Sequence, residues 1–299
     1  MIKVCVIIPV FGRDAVFANI TAARKSAVDG VELHFIVVDN GNGSPLREKL
    51  SALAADDVTV IRLERNLGGS GAYAAGMTAA MAAECQYLWL LDDDAEPDPH
   101  TLNELLKTVA AKGDDVGAAA STLLSLADPE RIIESGASVR GLYGKLCARY
   151  EGRNIREVPA GDSECEYSAA ASILIPAAVV RNVGVFAQTF IHYDDVEWCF
   201  RARRMGYRIY ISTRSVVHHP DWSANFSTWL CYYNTRNKLW FLKRYRPRQW
   251  FFSEILLRVK AVFFACRGRR RAAELMFLGM KHAASGELLM RDEVERIIR

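Results

Sequence analysis

The sequence lacks the short signatures of several common protein classes. Its seven cysteines are scattered, and no two of them form a CxxC pair. This pattern disfavours a zinc site or a disulfide framework, and it fits a reducing cytoplasm. No uncharged apolar run approaches the roughly 20 residues that a membrane-spanning helix needs. Met1 leads directly into a strand-like stretch, so no signal peptide is expected.

Two nucleotide-binding motifs are missing as well. The glycine-rich stretch at 64–77 fits neither GxGxxG nor the P-loop pattern, and no such motif follows the first predicted strand. A dinucleotide site or an ATPase-type triphosphate site is therefore disfavoured. The first strand runs into the letters PVFGR, whereas a haloacid-type phosphatase would place its aspartates there.

Charge is distributed unevenly along the 299 residues. The net charge is only +3, but residues 229–299 hold 16 Lys/Arg against 6 Asp/Glu, and residues 1–228 hold 22 against 29. An acidic body therefore carries a basic tail, which could meet nucleic acid or an anionic membrane surface. The hydrophobic content of 51% is enough for one large α/β domain or two smaller ones.

Strand-like and helix-like stretches alternate over the first 115 residues. Four short apolar runs have the composition of buried strands: 4–10, 33–40, 58–63 and 86–91. Their alternation with helical patterns predicts the α/β class, with a mainly parallel sheet flanked by helices. Ligands bind at the carboxyl ends of such strands. The loops expected to form the site are 9–14, 39–43, 64–71 and 92–98.

The pattern loosens after residue 115. Further strands are expected, some of them antiparallel, and a helix is predicted over 195–206 because Gly206 closes it. The segment 140–167 is glycine-rich, polar and aromatic, which predicts a long loop or hairpin over the site. From Ser227 onward the sequence is helical in character.

Three consecutive aspartates follow the fourth predicted strand. Asp92 and Asp94 are separated by one residue, so both carboxylates can point into one cleft. Oxygen ligands at that spacing bind a hard divalent cation such as Mg²⁺ or Mn²⁺, which keeps open positions for phosphate. The alternative is a solvated acidic turn that caps the next helix.

Three other motifs have both a functional and a purely structural interpretation. Glycines at 68–76 allow a phosphate or sugar to approach a helix N-terminus, or they form a flexible turn. Asp194 and Asp195 begin a helix, where one could be a general base, with Glu197 close enough to assist, or they could only cap it. His218 and His219 end a strand and point to opposite faces, so one of them could bind the metal.

Seven stretches occur in a fixed order along residues 1–245: VIIPVFGR, IVVDNGN, RNLGGSGAYAAGM, WLLDDDAEPDP, YDDVEWCFRARRMGY, VVHH and YYNTRNKLWFLKRY. In this order they resemble a family 2 glycosyltransferase of the A-type fold, in the branch of bacterial rhamnosyl- and galactofuranosyltransferases. The resemblance implies an inverting transferase that uses Mn²⁺ or Mg²⁺ and a UDP- or dTDP-linked sugar. It also implies a catalytic domain over 1–226, with a nucleotide-binding half (1–115) and an acceptor-binding half (116–226), before a helical C-terminal region (227–299).

The resemblance assigns roles to individual residues. The donor-binding residues would be Pro9, Asp39, Arg65, Asn66, Gly69 and Asp93. The metal ligands would be Asp92, Asp94 and His219, with His218 as the alternative. His219 is preferred because Trp222 then falls where related enzymes carry a tryptophan. Asp195 would deprotonate the acceptor hydroxyl, and the residues binding sugar hydroxyls would be Asp194, Glu197 and Trp222.

The function implied by the resemblance is extension of a cell-surface polysaccharide, such as a lipopolysaccharide O-antigen or capsule, with galactofuranose or rhamnose. A sugar-1-phosphate nucleotidyltransferase is an alternative, but it would normally carry a basic glycine-rich loop after the first strand. A non-catalytic binding module of the same fold is another, against which the intact Asp92, Asp94 and Asp195 weigh.

The stretch 250–271 interleaves aromatic and aliphatic residues with arginine and lysine. Such a composition is typical of an amphipathic helix at a membrane interface, although an ordinary helix packed on the catalytic domain is the alternative. No nucleic-acid-binding motif accompanies the charge, so no nucleic acid partner is expected. A lipid-linked glycan acceptor would then place the protein in the cytoplasm, peripheral on the inner face of the cytoplasmic membrane.

Overall fold

The computed structural model describes residues 1–41, 43–221 and 227–288, together with Glu293, Val294 and Arg296. Trp222, a predicted acceptor ligand, lies outside the described residues. The first seven elements alternate as predicted: β1 (Ile2–Val10), α1 (Val16–Lys25), β2 (Val31–Asp39), α2 (Ser44–Ser51), β3 (Val58–Arg62), α3 (Gly68–Ala82) and β4 (Tyr87–Leu91).

The second part mixes short strands with helices. Its strands are β5 (Glu96–Pro97), β6 (Val116–Ser125), β7 (Ile132–Glu134), β8 (Ala137–Arg140), β9 (Lys145–Ala148), β10 (Asp162–Cys165), β11 (Ser172–Pro176) and β12 (Arg208–His219). Its helices are α4 (Thr101–Lys112), α5 (Ala177–Val183), α6 (Asp194–Arg204), α7 (Leu230–Tyr245), α8 (Pro247–Cys266) and α9 (Arg270–Ser285).

One central sheet organises the molecule. Its strand order is β10-β12-β6-β11-β4-β1-β2-β3, with β5 paired to β12 and β7 paired to β6. The pairs among β1 to β4, and the pair β6–β12, are parallel, whereas β11 runs antiparallel to both β4 and β6. The carboxyl ends of β1, β2, β4, β6 and β12 therefore lie along one edge. The predicted α/β class with a mainly parallel sheet is confirmed.

Alternation along the strands gives the sheet a hydrophobic core on each face. In β1, Cys5 and Ile7 pack with α3 on one face, while Val6 and Ile8 pack with α1 and α4 on the other. The C-terminal helices contribute to the first of these cores, where Phe241 is fully buried. Helix α7 is thus an integral part of the folded body.

One pair of cysteines departs from the expectation that the sequence gives. The absence of a CxxC spacing predicts no disulfide framework, but the structure joins Cys5 of β1 to Cys85, with Cα atoms 5.9 Å apart. The reason is tertiary, since the segment before β4 lies beside β1 and the Gln86 amide donates to the Lys3 carbonyl at 2.9 Å. The other five cysteines are free. Cysteine usage therefore does not identify the redox compartment.

The hairpin β8–β9 packs on the C-terminal helices. A Cβ atom at Gly144 in its turn would lie 2.6 Å from the Leu242 side chain of α7, and the Gly141 carbonyl accepts a hydrogen bond from Gln249 of α8. The long loop or hairpin predicted over the site at 140–167 thus contains only the turn and second strand of the β8–β9 hairpin, and these contacts hold the turn against α7 and α8. Among the described residues, no helix is both long and apolar enough to span a membrane.

Candidate active site

The three aspartates after β4 lie at the carboxyl edge of the sheet. The short strand β5 pairs antiparallel with the end of β12, with Glu96 opposite His218 and Pro97 opposite Val217. This pairing brings two stretches that are more than 100 residues apart in sequence against each other. Asp92 and Asp94 consequently face the last residue of β12.

A candidate metal site is formed by Asp92, Asp94 and His219, whose ligand atoms all lie within 4.8 Å of one another. His219 Nε2 is 3.3 Å from Asp94 Oδ1 and 3.7 Å from Asp92 Oδ2. His219 Nδ1 lies 2.6 Å from the Pro220 carbonyl oxygen, to which it must donate. That hydrogen bond leaves Nε2 as the nitrogen that faces the carboxylates, the arrangement usual for a metal-binding histidine.

The neighbouring His218 points elsewhere. Its Nε2 is 3.2 Å from Asp98 Oδ1, on the opposite side of the strand from His219, as alternation requires. Of the two histidines, His219 is therefore the one placed with the aspartates. Two carboxylates and one imidazole form a donor set that suits Mn²⁺ and Mg²⁺.

The charged groups of this site shift one another's pKa values. Burial acts to lower the pKa of His219, but hydrogen bonding to Asp92 and Asp94 outweighs it and raises the pKa to about 10. Burial acts to raise the pKa of Asp94, but the hydrogen bond and charge of His219 hold it below its ordinary value. The site thus concentrates negative charge that a cation offsets.

Arg13 is a functional candidate that sequence reasoning missed. It lies in the loop after β1, and its guanidinium donates to Asp93 Oδ1 at 2.9 Å and also contacts Asp94. Burial raises the pKa of Asp93 to about 7, although the charge of Arg13 acts in the opposite direction. No local pattern pointed to this arginine, because its partners are 80 residues away.

The predicted donor pocket follows β1, β2 and β3. Asp39, at the end of β2, is fully buried and its Oδ2 accepts from Arg47 Nε at 3.0 Å. Pro9 lies on β1 beside Val38 of β2. A cavity of about 460 Å³ opens between the loop after β1 and the start of α2. Its lining residues are Gly12, Asp14, Gly43, Pro45, Leu46 and Lys49.

Asn40 and Asn66 hold the glycine-rich segment against β2. Asn40 Nδ2 donates to Asn66 Oδ1 and to the Gly68 carbonyl, each at 3.1 Å. Asn66 Oδ1 also accepts from the Gly68 amide at 2.7 Å. Asn66, which was predicted to bind the donor, thus also supports the loop. Asn40 is a second supporting residue, which sequence reasoning did not identify. In the same segment, Arg65 is exposed and Gly69 is half-buried.

Only glycine fits at the start of α3. Gly68 has a positive φ of 73°, and a Cβ atom there would lie 1.8 Å from the Phe190 carbonyl oxygen. The N-terminus of α3 and the segment 189–193 are therefore in direct backbone contact. This contact joins the donor side of the site to the side that carries the second pair of aspartates.

That segment has an unusual backbone. Phe190, His192 and Tyr193 have φ values of 73°, 61° and 67°, a region that costs energy for any residue other than glycine. It ends at α6, whose first two residues are Asp194 and Asp195. Strained backbone of this kind persists only where the surrounding structure enforces it.

Helix α7 supplies that enforcement. The fully buried Asn237 donates through Nδ2 to three carbonyl groups of the segment, those of Thr189 at 3.2 Å, Ile191 at 2.6 Å and His192 at 3.1 Å. The neighbouring Arg236, also fully buried, donates to the Thr189 carbonyl.

Asp194 and Asp195 are carboxylates with shifted pKa values. Burial raises the pKa of Asp195 to about 6, while hydrogen bonds from the backbone amides of Val196 and Ala170 act against that rise. Burial, together with the charge of Asp195, raises the pKa of Asp194 well above its ordinary value. Carboxyl groups with strongly shifted pKa values are common in catalytic sites.

Tyr73 links the two acidic groups. Its hydroxyl donates to Asp92 Oδ1 at 2.7 Å and lies 3.3 Å from the Ala170 carbonyl. Because the amide of Ala170 bonds to Asp195, a short chain of contacts runs from the candidate metal site to Asp195. The charge of Asp92 also acts on both Asp194 and Asp195. The structure thus brings the predicted metal ligands and the predicted base into one cleft.

Glu197 has its partners outside this cleft, whereas the charge of another glutamate interacts with Asp195. The carboxylate of Glu197 pairs with Arg201 at 3.0 Å and accepts from the Tyr245 hydroxyl at 2.7 Å, so the structure engages it between α6 and α7. Glu134, at the end of β7, was not singled out. Burial, reinforced by the charge of Asp195, raises its pKa to about 7.

Comparisons with known proteins point to glycosyltransferases. Residues 5–136 match the family described as Glycosyl transferase family 2. The galactofuranosyltransferase GlfT1 of Mycolicibacterium smegmatis is 36% identical over 100 residues, which are 33% of this chain and 32% of that protein. The galactofuranosyltransferase GlfT2 of the same organism is 26% identical over 266 residues, or 79% of this chain and 40% of that protein. The chain thus spans less than half the length of these two relatives.

Solved structures agree on the architecture. The crystal structure of GalNAc-T7 with UDP, GalNAc and Mn²⁺ superposes with a TM-score of 0.65 at 15% identity, covering 81% of this chain and 47% of that one. At this identity the likeness shows the fold alone. Residues 5–136 thus carry a match to the glycosyltransferase family 2 domain, and the chain has the A-type fold.

Proposed function

We propose that this glycosyltransferase is metal-dependent and inverting, and that it moves galactofuranose from a UDP-linked donor to a hydroxyl group of a glycan acceptor. The observation that carries the proposal is the candidate metal site in one cleft with Asp194 and Asp195. The names of the relatives favour galactofuranose over rhamnose. UDP in the similar structure favours a UDP-linked donor over a dTDP-linked one.

The residues that would hold Mn²⁺ or Mg²⁺ are Asp92, Asp94 and His219. When bound, the cation would neutralise the charge that develops on the departing nucleoside diphosphate. Arg13, which contacts Asp93 and Asp94, provides a second positive charge at the same place. Asp39 and the segment around Arg65, Asn66 and Gly69 would hold the nucleotide.

Asp195 would be the general base. Its carboxylate would take the proton of the acceptor hydroxyl while the hydroxyl oxygen forms the new bond to the anomeric carbon and the bond to the diphosphate oxygen breaks. A single displacement of this kind inverts the configuration at that carbon. Asp194, whose pKa burial raises well above its ordinary value, would bind a sugar hydroxyl. Glu197 and Trp222 remain predictions as acceptor ligands.

The proposed setting is the assembly of a cell-surface polysaccharide at the inner face of the cytoplasmic membrane, where a lipid-linked glycan would be the acceptor. This part of the proposal is supported by the surface of α8 described below. A sugar-1-phosphate nucleotidyltransferase would instead join a sugar phosphate to a nucleoside triphosphate and release pyrophosphate.

Isothermal titration of UDP-galactofuranose tests the metal site. Binding to the wild-type protein should require Mn²⁺, and Asp92→Ala or Asp94→Ala should remove that requirement together with most of the affinity. Asp98→Ala is the matched control, because Asp98 lies in the same loop but faces His218. Unchanged affinity and Mn²⁺ dependence in both test variants would overturn the assignment of these ligands.

A further inference from the structure

Helix α8 carries an exposed apolar face. At 100° per residue, eight of its apolar residues and Arg248 fall within an arc of about 140°, and all of them are exposed. The apolar ones form a face. These residues, which we call the α8 apolar face, are Phe251, Phe252, Ile255, Leu256, Val259, Val262, Phe263 and Cys266. The exposed fractions of its large side chains range from 37% at Phe252 to 62% at Val259. The prediction that residues 250–271 form an amphipathic helix leaves open which way this face points, and the structure turns it outward.

The opposite side of α8 is fixed to the protein. Ser253 and Ala261 are fully buried, and Ser253 Oγ donates to the Tyr143 carbonyl in the β8–β9 hairpin. Gln249 donates to the Gly141 carbonyl of the same hairpin at 2.8 Å. The helix is therefore held in one orientation, with its apolar face turned away from the body.

Cations border the α8 apolar face on both sides. Arg258 lies along one border, and Lys260 and Arg267 lie along the other, at the positions that the helical repeat of 100° per residue gives them. Arg269, Arg270 and Arg271 follow at the C-terminal end and are all exposed. The stretch 246–271 holds eight Lys/Arg and a single acidic residue, Glu254.

We propose that α8 docks this protein on an anionic membrane surface. Its apolar side chains would enter the boundary between headgroups and acyl chains, while the bordering cations meet anionic headgroups, as in interfacial helices. The helix would lie in the membrane plane, because its other side is packed on the protein. The proposal is independent of the proposed reaction, since it rests on the exposed face and the charges around it.

A second copy of the chain fits this surface less well. A two-fold pairing of the α8 apolar face would bring the same cations of two chains close together, and like charges at an interface core oppose association. A nucleic acid would meet the arginines but would leave the phenylalanines and valines in water. A lipid surface satisfies both parts of the pattern.

Co-sedimentation with vesicles of stated composition tests the proposal. The wild-type protein should sediment with phosphatidylcholine vesicles that contain phosphatidylglycerol, and less so at high salt because the electrostatic part is screened. Replacing Arg269, Arg270 and Arg271 with Glu should lower this binding by about tenfold or more. Replacing Lys25, Lys107 and Arg181 with Glu changes the charge equally at exposed sites on α1, α4 and α5, and should lower it much less.

The apolar part is tested separately. Phe251→Ser, Val259→Ser and Val262→Ser combined should lower vesicle binding by about tenfold or more, whereas Met205→Ser, at an equally exposed apolar residue after α6, should leave it unchanged.

Equal sedimentation with neutral and anionic vesicles, or with neither, would overturn the proposal. So would a wild-type dimer that the triple serine variant converts to a monomer. Transfer to a soluble acceptor should persist in every variant, which separates this test from that of the reaction.

Discussion

The side chain of Asp195 is half-buried at the start of α6, and burial raises its pKa to about 6. A carboxyl group accepts a proton only after it has lost its own. The value of kcat/KM for transfer should therefore be low near pH 5 and should rise through about pH 6 to a plateau. A pH profile measured with the soluble acceptor checks this, and a rate that falls over the same interval would contradict it.

Substitution of each aspartate by asparagine should distinguish the roles of Asp194 and Asp195. Asp195→Asn should lower turnover by about 10²–10⁴-fold, because an amide cannot take the acceptor proton, and should leave donor affinity nearly unchanged. Asp194→Asn should cost much less, because burial raises the pKa of Asp194 well above its ordinary value and so favours the neutral acid, which an amide resembles. Single-turnover kinetics combined with donor titration would decide. An inactive Asp194→Asn beside an active Asp195→Asn would reverse the assignment.

At the residue scale, sequence reasoning identified residues whose positions follow from the local sequence. It missed residues whose roles depend on distant contacts. Asp92, Asp94 and His219 end strands, and strand ends of a parallel sheet meet at one edge. Arg13 and Tyr73 contact this group from other elements, and the charge of Glu134 interacts with Asp195. Each of the three is an ordinary residue in its own local sequence. Burial and long-range contacts, which no short window of sequence contains, decide their roles.

At the scale of elements, α7 and the segment 189–193 form one unit. The three hydrogen bonds from Asn237 hold backbone carbonyls of a segment with three left-handed residues. The predicted helix over 195–206 was found at Asp194–Arg204, but nothing in the sequence before it indicated this backbone. Such conformations become visible only when the contacts that stabilise them are known.

Loss of the Asn237 hydrogen bonds should lower kcat more than it lowers the affinity for the donor. Asn237→Ala removes the donor of the Ile191 carbonyl and one of two donors from the Thr189 and His192 carbonyls, and should lower the free energy of unfolding by about 1–3 kcal/mol. It should also lower kcat by about tenfold or more, since a small displacement of a catalytic group is costly. Lys243→Ala, on the exposed side of the same helix, is the control. Equal kinetics in the two variants would show that Asn237 does not position Asp195.

At the scale of the whole molecule, the charge asymmetry of the sequence corresponds to a division of surfaces. The acidic residues include those of the cleft at the carboxyl edge of the sheet, and the basic residues are concentrated on the C-terminal helices. These helices also bury apolar side chains against the α3 face of the sheet, so composition alone did not show that they share its core. The order of motifs gave the A-type architecture, whereas the outward orientation of the α8 apolar face required the structure.

The central claim is inverting transfer with Asp195 as the base. The most direct test follows, by nuclear magnetic resonance, the anomeric configuration of the first product formed from UDP-galactofuranose and a soluble glycan acceptor with Mn²⁺. The account predicts a product of inverted configuration from the wild-type chain and almost none from Asp195→Asn. A product of retained configuration would contradict it, as would the absence of transfer together with release of pyrophosphate from UTP and a sugar phosphate.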